Sequence, residues 1–569
     1  MNRFGDYDVV VVEGTVAGVT AAIRLAHAGL HVALVMSGSS PLFEFTTCMG
    51  ALLSVRERET LPPELDLCFP ESRASACGEG WLYPHAAIAE AVEDSLIDAG
   101  VAIFYDAHPG GVLFRGGEAR ETPCRVEGIV FGGSFGVAAA TASACVDCTH
   151  DGFLVRAAGG ARHRREGQDH ALCSSFLHTG TEHCAPHTWI ALGDGLRIRF
   201  HGHLAEVRFA YAGGEAGAAP CGAAQRHRAL RDTLITHART WSAAHPGIPF
   251  AIRRVADDML VVEPTYVSLD AGRGVHLLSV AGDARRDAAA YLDQRTRMAA
   301  DVTRVVAAVR ADLETSGPVL DRPRHYVLSL PGRATGTADT DSRDQADACQ
   351  FGLCDPRHDE PQCDQIAVSL GALPVRRRAA VIVCGLGTSG IEAARSAAAH
   401  GLAPIGFETH GDVGGVNTVG GVPVYWYGRR TPYFKRWHRA LKEKVRADHI
   451  PAALALYDQA RRRGVELNLK TPCCGVVTQA DRVTGVVCIG DDGLFLACGT
   501  YVVDASGAGD IAAWRVPRIA TGPAATRSRT GTPSVSSCTG NTRRAASTCR
   551  LWTRAVFSTR LVVSSRGVG

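Results

Sequence analysis

Lysine is nearly missing from this chain. Four lysines stand against 56 arginines in 569 residues, the mark of a GC-rich coding sequence. No run of ~18 uninterrupted apolar residues occurs, so no membrane-spanning helix is expected. Met1 to Asp8 carry two aspartates and one arginine before a short strand-like run, which does not read as a secretory signal. HExxH and Walker A sequences are absent, which removes the zinc protease helix and the P-loop from consideration. The 19 cysteines are an odd number in a long chain and exclude a complete disulfide framework. They read as reduced thiols of an intracellular, cytoplasmic protein.

What is present is an ordinary globular composition, 46% hydrophobic and 21% charged. A net charge of +2 offers no general attraction for nucleic acid or an anionic membrane. The charge is uneven, however. No Asp, Glu or Lys follows Asp510, and residues 515–569 contain 10 Arg and 17 Ser or Thr, so this end carries +10 and the remainder −8. The tail shows no convincing period before Leu561. It reads as a frameshift product or an unrelated end, against a disordered basic tail for a polyanion as the alternative.

The most informative feature is an internal repeat. Val9 to Val12 is a buried-strand run, followed by Glu13-Gly14-Thr15-Val16-Ala17-Gly18, a small-residue helix through Ala28 and a strand over Val32 to Val35. The same order returns at Val381 to Val383, with Gly385-Leu386-Gly387-Thr388-Ser389-Gly390, a helix through Ala399 and a strand ending at Glu408. Gly18 matches Gly390, Gly29 matches Gly401, and Met36 and Glu408 each stand 18 residues past the matched glycine. Further on, Val146-Asp147-Cys148-Thr149 matches Val503-Asp504-Ala505-Ser506. Several matched features in one order imply a gene duplication.

Gly385-x-Gly387-x-x-Gly390 lies between a strand and a helix, the context in which such glycines serve a dinucleotide. The first permits the tight turn, the second lets a pyrophosphate reach the backbone, and the third packs helix on strand. Glu408 stands where a carboxylate accepts from ribose hydroxyls. The pair Gly414-Gly415 follows, and later Tyr501-Val502-Val503-Asp504-Ala505-Ser506-Gly507-Ala508-Gly509-Asp510. With these motifs the sequence resembles the FAD-dependent oxidoreductase family, the two-dinucleotide-binding-motif flavoproteins. The resemblance spans residues 6–178 and 379–514. It implies FAD held by Gly385, Gly387, Gly390, Glu408, Gly414, Gly415, Asp504, Gly507, Gly509 and Asp510, with hydride transfer from an organic substrate to the flavin and on to an unidentified electron acceptor. No catalytic base is identifiable. The alternatives are an NAD(P)-binding dehydrogenase and a non-catalytic remnant.

The first copy departs from the pattern. Glu13 and Thr15 replace the first two glycines, Met36 the ribose carboxylate, and His150 and Phe153 stand opposite Gly507 and Asp510. A glutamate repels a pyrophosphate and a threonine Cβ obstructs it, so this copy reads as having lost FAD. The second copy stops where the family continues.

Other features carry less. The aromatic and basic stretch Val424 to His438 could face a flavin or clamp an anion through Arg429 and Arg430, but packing at an interface is the favoured reading. Cys145 and Cys148 read as structural thiols, and Cys473-Cys474 as incidental. Cys349, Cys354, His358 and Cys363 match no zinc spacing, so no metal is expected. The expected fold is α/β, with two Rossmann-like FAD/NAD(P)-binding domains and an intervening mixed α+β domain. The domains are 1–178 (degenerate dinucleotide-binding), 179–369 (substrate or cap), 370–514 (FAD-binding) and 515–569 (tail).

Overall fold

The computed structural model describes residues 1–515 except 51, 78–79, 116–124, 165–169, 181–187, 194–195, 212–221, 245–249, 263–264, 270–272, 279–298, 317–324, 332–348, 352–365, 371, 423–428 and 480–481. The 516–569 part of the tail, Cys354, His358, Cys363 and Val424, Tyr425, Trp426 and Tyr427 therefore lie outside the described residues.

The chain opens with β1 (Asn2–Val12), α1 (Val16–His27) and β2 (Val32–Val35), then α2 (His85–Asp98), β3 (Ala102–Phe104), β4 (His108–Arg115), β5 (Val126–Gly133), β6 (Gly136–Asp147) and the short α3 (Phe153–Ala157). Val9 to Val12 are fully buried. That is what an unalternating apolar run in a parallel strand covered on both faces requires. β1 pairs in parallel with β2 and β6, with Val12 opposite both Val35 and Asp147. β4, β5 and β6 form an antiparallel meander, giving the order β4-β5-β6-β1-β2-β3.

The middle of the chain contributes β7 (His170–Thr179), β8 (Ile190–Gly193), β9 (Leu196–His201), β10 (Leu204–Tyr211), α4 (Ala223–Ala244), β11 (Ala251–Val255) and β12 (Leu260–Val262). Its antiparallel sheet has the order β8-β9-β10-β7-β11, with β12 also on β7. Residues 196–200 form a strand as their alternation predicts. This middle segment is not self-contained. β13 (Val275–Leu277) joins β6, α5 (Ala299–Ser316) packs on α1, and β14 (His325–Ser329) joins β4. β15 (Cys349–Phe351), also within 179–369, joins the second large sheet. β16 (Ala367–Ser369) pairs with β14.

The second sheet is built from β17 (Val375–Cys384), α6 (Thr388–Ala399), β18 (Pro404–Phe407), α7 (Pro432–Asp448), α8 (Ala452–Arg462), β19 (Glu466–Asn468), β20 (Cys473–Gln479), β21 (Arg482–Gly490), β22 (Gly493–Asp504) and α9 (Asp510–Arg515). Its order, β15-β20-β21-β22-β17-β18-β19, repeats that of the first sheet strand for strand beyond β15. Cys384 stands opposite Phe407 and Asp504, as Val12 stands opposite Val35 and Asp147. The two meanders share one core, in which Leu113, Val130 and Ala139 meet Val477, Val487 and Leu496.

Candidate functional site

Both α/β units carry their strand-to-helix turn at the carboxyl end of the central strand, where open α/β sheets bind ligands. In the second unit Gly385 ends β17 at φ +85°, and an added Cβ would lie 2.5 Å from the Ala505 carbonyl oxygen. A Cβ on Gly390 would lie 1.9 Å from the Gly385 carbonyl oxygen, so helix and turn touch only because both residues are glycine. The Gly414 N–H donates to the Leu386 carbonyl at 2.8 Å, bringing the glycine pair against the turn. A Cβ on Gly415 would approach the Gly387 Cα to 2.9 Å. No side chain caps α6 at Gly387, and Thr388 and Ser389 are exposed. This helix start is therefore open to solvent and presents the positive end of the helix dipole, an arrangement suited to phosphate.

Glu408 follows β18 as expected, but it is buried. Its Oε2 accepts from the Leu386 N–H at 2.8 Å and its Oε1 from the His410 N–H at 3.1 Å. Burial pushes its pKa up. The carboxylate thus braces the turn, with lone pairs left for hydroxyl donors. Asp504 also has a backbone role that its sequence position did not reveal. Its Oδ1 accepts from the Ser506 N–H and hydroxyl at 3.1 and 2.7 Å, and its Oδ2 from the Ala512 N–H at 2.9 Å. The Ser506 oxygen accepts in turn from Gly509 and Asp510. Gly507 and Gly509 stand at φ +90° and +78° with open space beside them, and Asp510 begins α9.

The first turn has the same backbone and different chemistry. Glu13 adopts φ +86°, the conformation of Gly385, in a region that a side chain rarely tolerates. Its carboxylate accepts from the Gly14 N–H at 3.1 Å and the Ser37 hydroxyl at 2.7 Å, and burial pushes its pKa up. Thr15 caps the helix by accepting from Gly18 at 3.1 Å. The Val16 N–H points at both oxygens of Glu44, at 3.1 and 3.0 Å, and Glu44 is 2% exposed. The anion position of this helix is filled by the chain's own carboxylate. Sequence reading missed Glu44, because the repeat register puts Phe43, not Glu44, opposite Gly415. The Phe43 N–H donates to Gly14 as Gly414 donates to Leu386, so Phe43 and Glu44 occupy the places of Gly414 and Gly415. Asp147 repeats the Asp504 arrangement with Thr149 and Val155.

A buried charge network joins the middle segment to the second unit. Lys470 Nζ lies 3.2 Å from Asp257 and 3.2 Å from Asp258. The two carboxyls are held well below their usual range mainly by Lys470, against the opposing effect of burial, and Lys470 is held up by both. His227 Nε2 meets Asp258 at 3.1 Å, and Arg231 Nη1 meets His227 Nδ1 at 3.0 Å. Arginine can only donate, so Nδ1 accepts and the proton of the neutral ring sits on Nε2. Burial lowers the His227 pKa, in keeping with that form. Lys470 and Asp258, with Glu13, Ser37, His108 and Cys148, line a cavity of about 110 Å³ at the first turn. Burial pushes His108 down to about 3.

Where it is described, the aromatic and basic stretch leaves Arg429, Arg430 and Tyr433 exposed and packs in part on α6. Trp437 Nε1 and the Tyr433 hydroxyl, both on α7, donate to the Glu392 carboxylate of α6 at 2.6 and 2.8 Å. Cys145 and Cys148 are buried thiols. Among the described residues no three His, Cys, Asp or Glu are grouped to hold a metal, and no helix is long and apolar enough to cross a membrane.

Residues 380–555 match the family model for FAD dependent oxidoreductases. FAD is the cofactor that this match assigns to the segment. The match covers less than half of the chain, and it runs past residue 515 into the segment set apart above as a tail. A comparison with curated proteins finds no match. Among solved structures, the chain is similar to AlpK, at 14% identity, a TM-score of 0.36 and coverage of 54% of this chain and 62% of that one. It is also similar to p-nitrophenol 4-monooxygenase PnpA from Pseudomonas putida DLL-E4, at 13% identity, a TM-score of 0.37 and coverage of 56% and 82%. The myxobacterial chondrochloren halogenase CndH gives 18% identity, a TM-score of 0.35 and coverage of 54% and 76%. The chain thus spans less than two thirds of AlpK.

Proposed function

We propose that the chain is an FAD-dependent oxidoreductase that holds FAD non-covalently on the second turn and oxidises a small organic substrate. The observation that carries this reading is the contrast between the two helix starts. One is open to solvent and bordered by Gly387 and Gly415, and the other is filled by Glu44. The residues of the second turn fit the cofactor, because the contact of Gly415 with Gly387 leaves no side chain between the amides and an incoming phosphate. Gly385 and Gly390 set the turn, and Gly414 and Gly415 border the path of the pyrophosphate. Glu408 accepts from ribose hydroxyls. Asp504, through Ser506, holds the loop of Gly507 and Gly509 and the start of α9 at Asp510 beside the rest of the cofactor. When bound, FAD supplies a hydride acceptor, and the protein contributes binding, orientation and electrostatics.

On this reading the first unit arose by duplication and keeps the fold without the dinucleotide. The substrate is a small molecule bound under the middle segment, the electron acceptor is a separate partner, and the protein works in the cytoplasm. The test is the visible absorption spectrum of the purified chain, with heat release to identify the cofactor. Bound or reconstituted FAD supports the proposal. A nicotinamide nucleotide in its place makes the chain a dehydrogenase. Colourless protein that fails to take up added FAD makes it a non-catalytic relative.

A further inference from the structure

The pair Cys473-Cys474 reads as incidental in sequence, but the fold separates the two thiols. Cys474 is fully buried in the core shared by the two meanders. Cys473, at the start of β20, is directly opposite Cys488 of β21, and the two sulfurs lie 3.9 Å apart. Cys384, one residue before Gly385, also bears on Cys473, and hydrogen bonding from the Cys384 and Cys488 thiols brings the Cys473 thiol down to about 5. Of these four thiols Cys473 is half-buried and the others are buried, so an oxidant from solvent reaches Cys473 first.

We infer that Cys473 and Cys488 are a disulfide-forming pair, in which Cys473 is the attacking thiol and Cys488 resolves. Three observations carry this. The two residues are paired in register, their sulfurs are in contact, and Cys473 is the less buried residue of the two. Closing the bond brings the sulfurs from 3.9 Å to about 2.05 Å, a movement within reach of side-chain rotation because opposed strand positions already have the backbone spacing of a disulfide. The oxidant class is a low-molecular-weight disulfide. The Cys473 thiolate attacks one of its sulfurs, forming a mixed disulfide and expelling one thiolate. The Cys488 sulfur then attacks Cys473, loses its proton, and expels the second thiolate. The protein loses two electrons and two protons, and one small disulfide becomes two thiols. Neither step involves the flavin, so the inference stands apart from the cofactor reading.

Peptide mapping tests it. Trypsin cuts after Lys470, Arg482 and Arg515, placing the partners on separate peptides, 471–482 and 483–515. The folded full-length chain is treated with oxidised glutathione, quenched with an alkylating reagent in acid, digested and weighed. The expected product is the linked pair of peptides, exceeding any other cysteine link on the order of tenfold. It persists in Cys474→Ala and Cys498→Ser and disappears in Cys473→Ser. Treatment of the urea-unfolded wild type should scatter the links, which shows that the native pairing needs the fold and keeps the test valid if a variant folds poorly. A stable glutathione adduct on Cys473, a link that depends on Cys474, Cys498 or Cys384, or two thiols that stay reduced would each overturn the inference.

Discussion

At Gly387 one missing methyl group separates folding from binding. Its backbone is extended at φ −65° and ψ −164°, and an added Cβ would lie 3.8 Å from the nearest atom, Gly415 Cα, an ordinary contact. Gly387→Ala should leave stability within ~0.5 kcal/mol, as a substitution free of strain does. The methyl stands where a phosphate must reach the amides, so FAD affinity should fall by about tenfold or more, worth about 1.4 kcal/mol. Titration of apo-protein with FAD, alongside urea unfolding, checks both halves. Unchanged affinity would remove the second turn from the cofactor site.

Lys470 is a second single-residue case. Removing one partner of a buried ion cluster leaves the remaining charges unpaired, at about 3–5 kcal/mol. Lys470→Met should therefore destabilise the protein by roughly 3 kcal/mol at pH 7. The sign with pH follows from the carboxyls. Asp257 and Asp258 have folded pKa values below their unfolded ones. Their contribution is present above about pH 4 and fades as pH falls through the folded values. In Lys470→Met the buried carboxyls lose their cation and titrate upward, so the variant gains stability as pH falls toward 4 while the wild type holds steady. The gap between the two should narrow from pH 7 to pH 4 in urea titrations. A gap independent of pH would mean that Lys470 acts by packing alone.

Among elements, the strand-to-helix staples differ in burial. Asp147 and Asp504 each accept two bonds on one oxygen and one on the other, but Val155 is buried and Ala512 exposed. Replacing aspartate with asparagine presents an amide to the helix N–H. Asp147→Asn strands a buried donor, at about 1–3 kcal/mol, and Asp504→Asn leaves one that water can satisfy, at about 0.5–1 kcal/mol. Thermal unfolding of the two variants should rank them in that order. At the first helix start, Glu44→Gln keeps the shape and removes the charge, with an expected loss of about 0.5–2 kcal/mol from the helix dipole and the charge-assisted bond.

For the whole molecule, the shared core of the two meanders sets an expectation about fragments. A chain of residues 370–515 would expose Cys474, Val477, Val487, Ile489, Leu494 and Leu496, which now meet the first unit. An apolar patch of this kind drives association. The fragment should elute as aggregates and bind a hydrophobic dye, whereas a monodisperse monomer would show that the units fold independently. In the full chain, FAD at 100 times its dissociation constant should add about 2.7 kcal/mol of stability, and the gain should shrink in Gly387→Ala.

The sequence alone determined the opening strand, turn, helix and second strand of both units, because continuous valine runs, glycine turns and small-residue helices are local patterns whose causes lie within a few residues. It also placed Gly385, Gly387 and Gly390 at one strand-to-helix turn and Glu408 at the end of the next strand, and it marked Glu13 and Thr15 as replacing the glycines of the other turn. Only the tertiary structure decided what lies within reach of these residues. Glu44 enters the first helix start from 28 positions away, and Lys470 meets Asp257 across 213. Asp504 turned out to bind its own backbone, and Cys473 found Cys488 while its sequence neighbour Cys474 was buried on another face. Those pairings depend on how the sheets pack and which charges are shut away from water, and no short stretch of sequence carries that information.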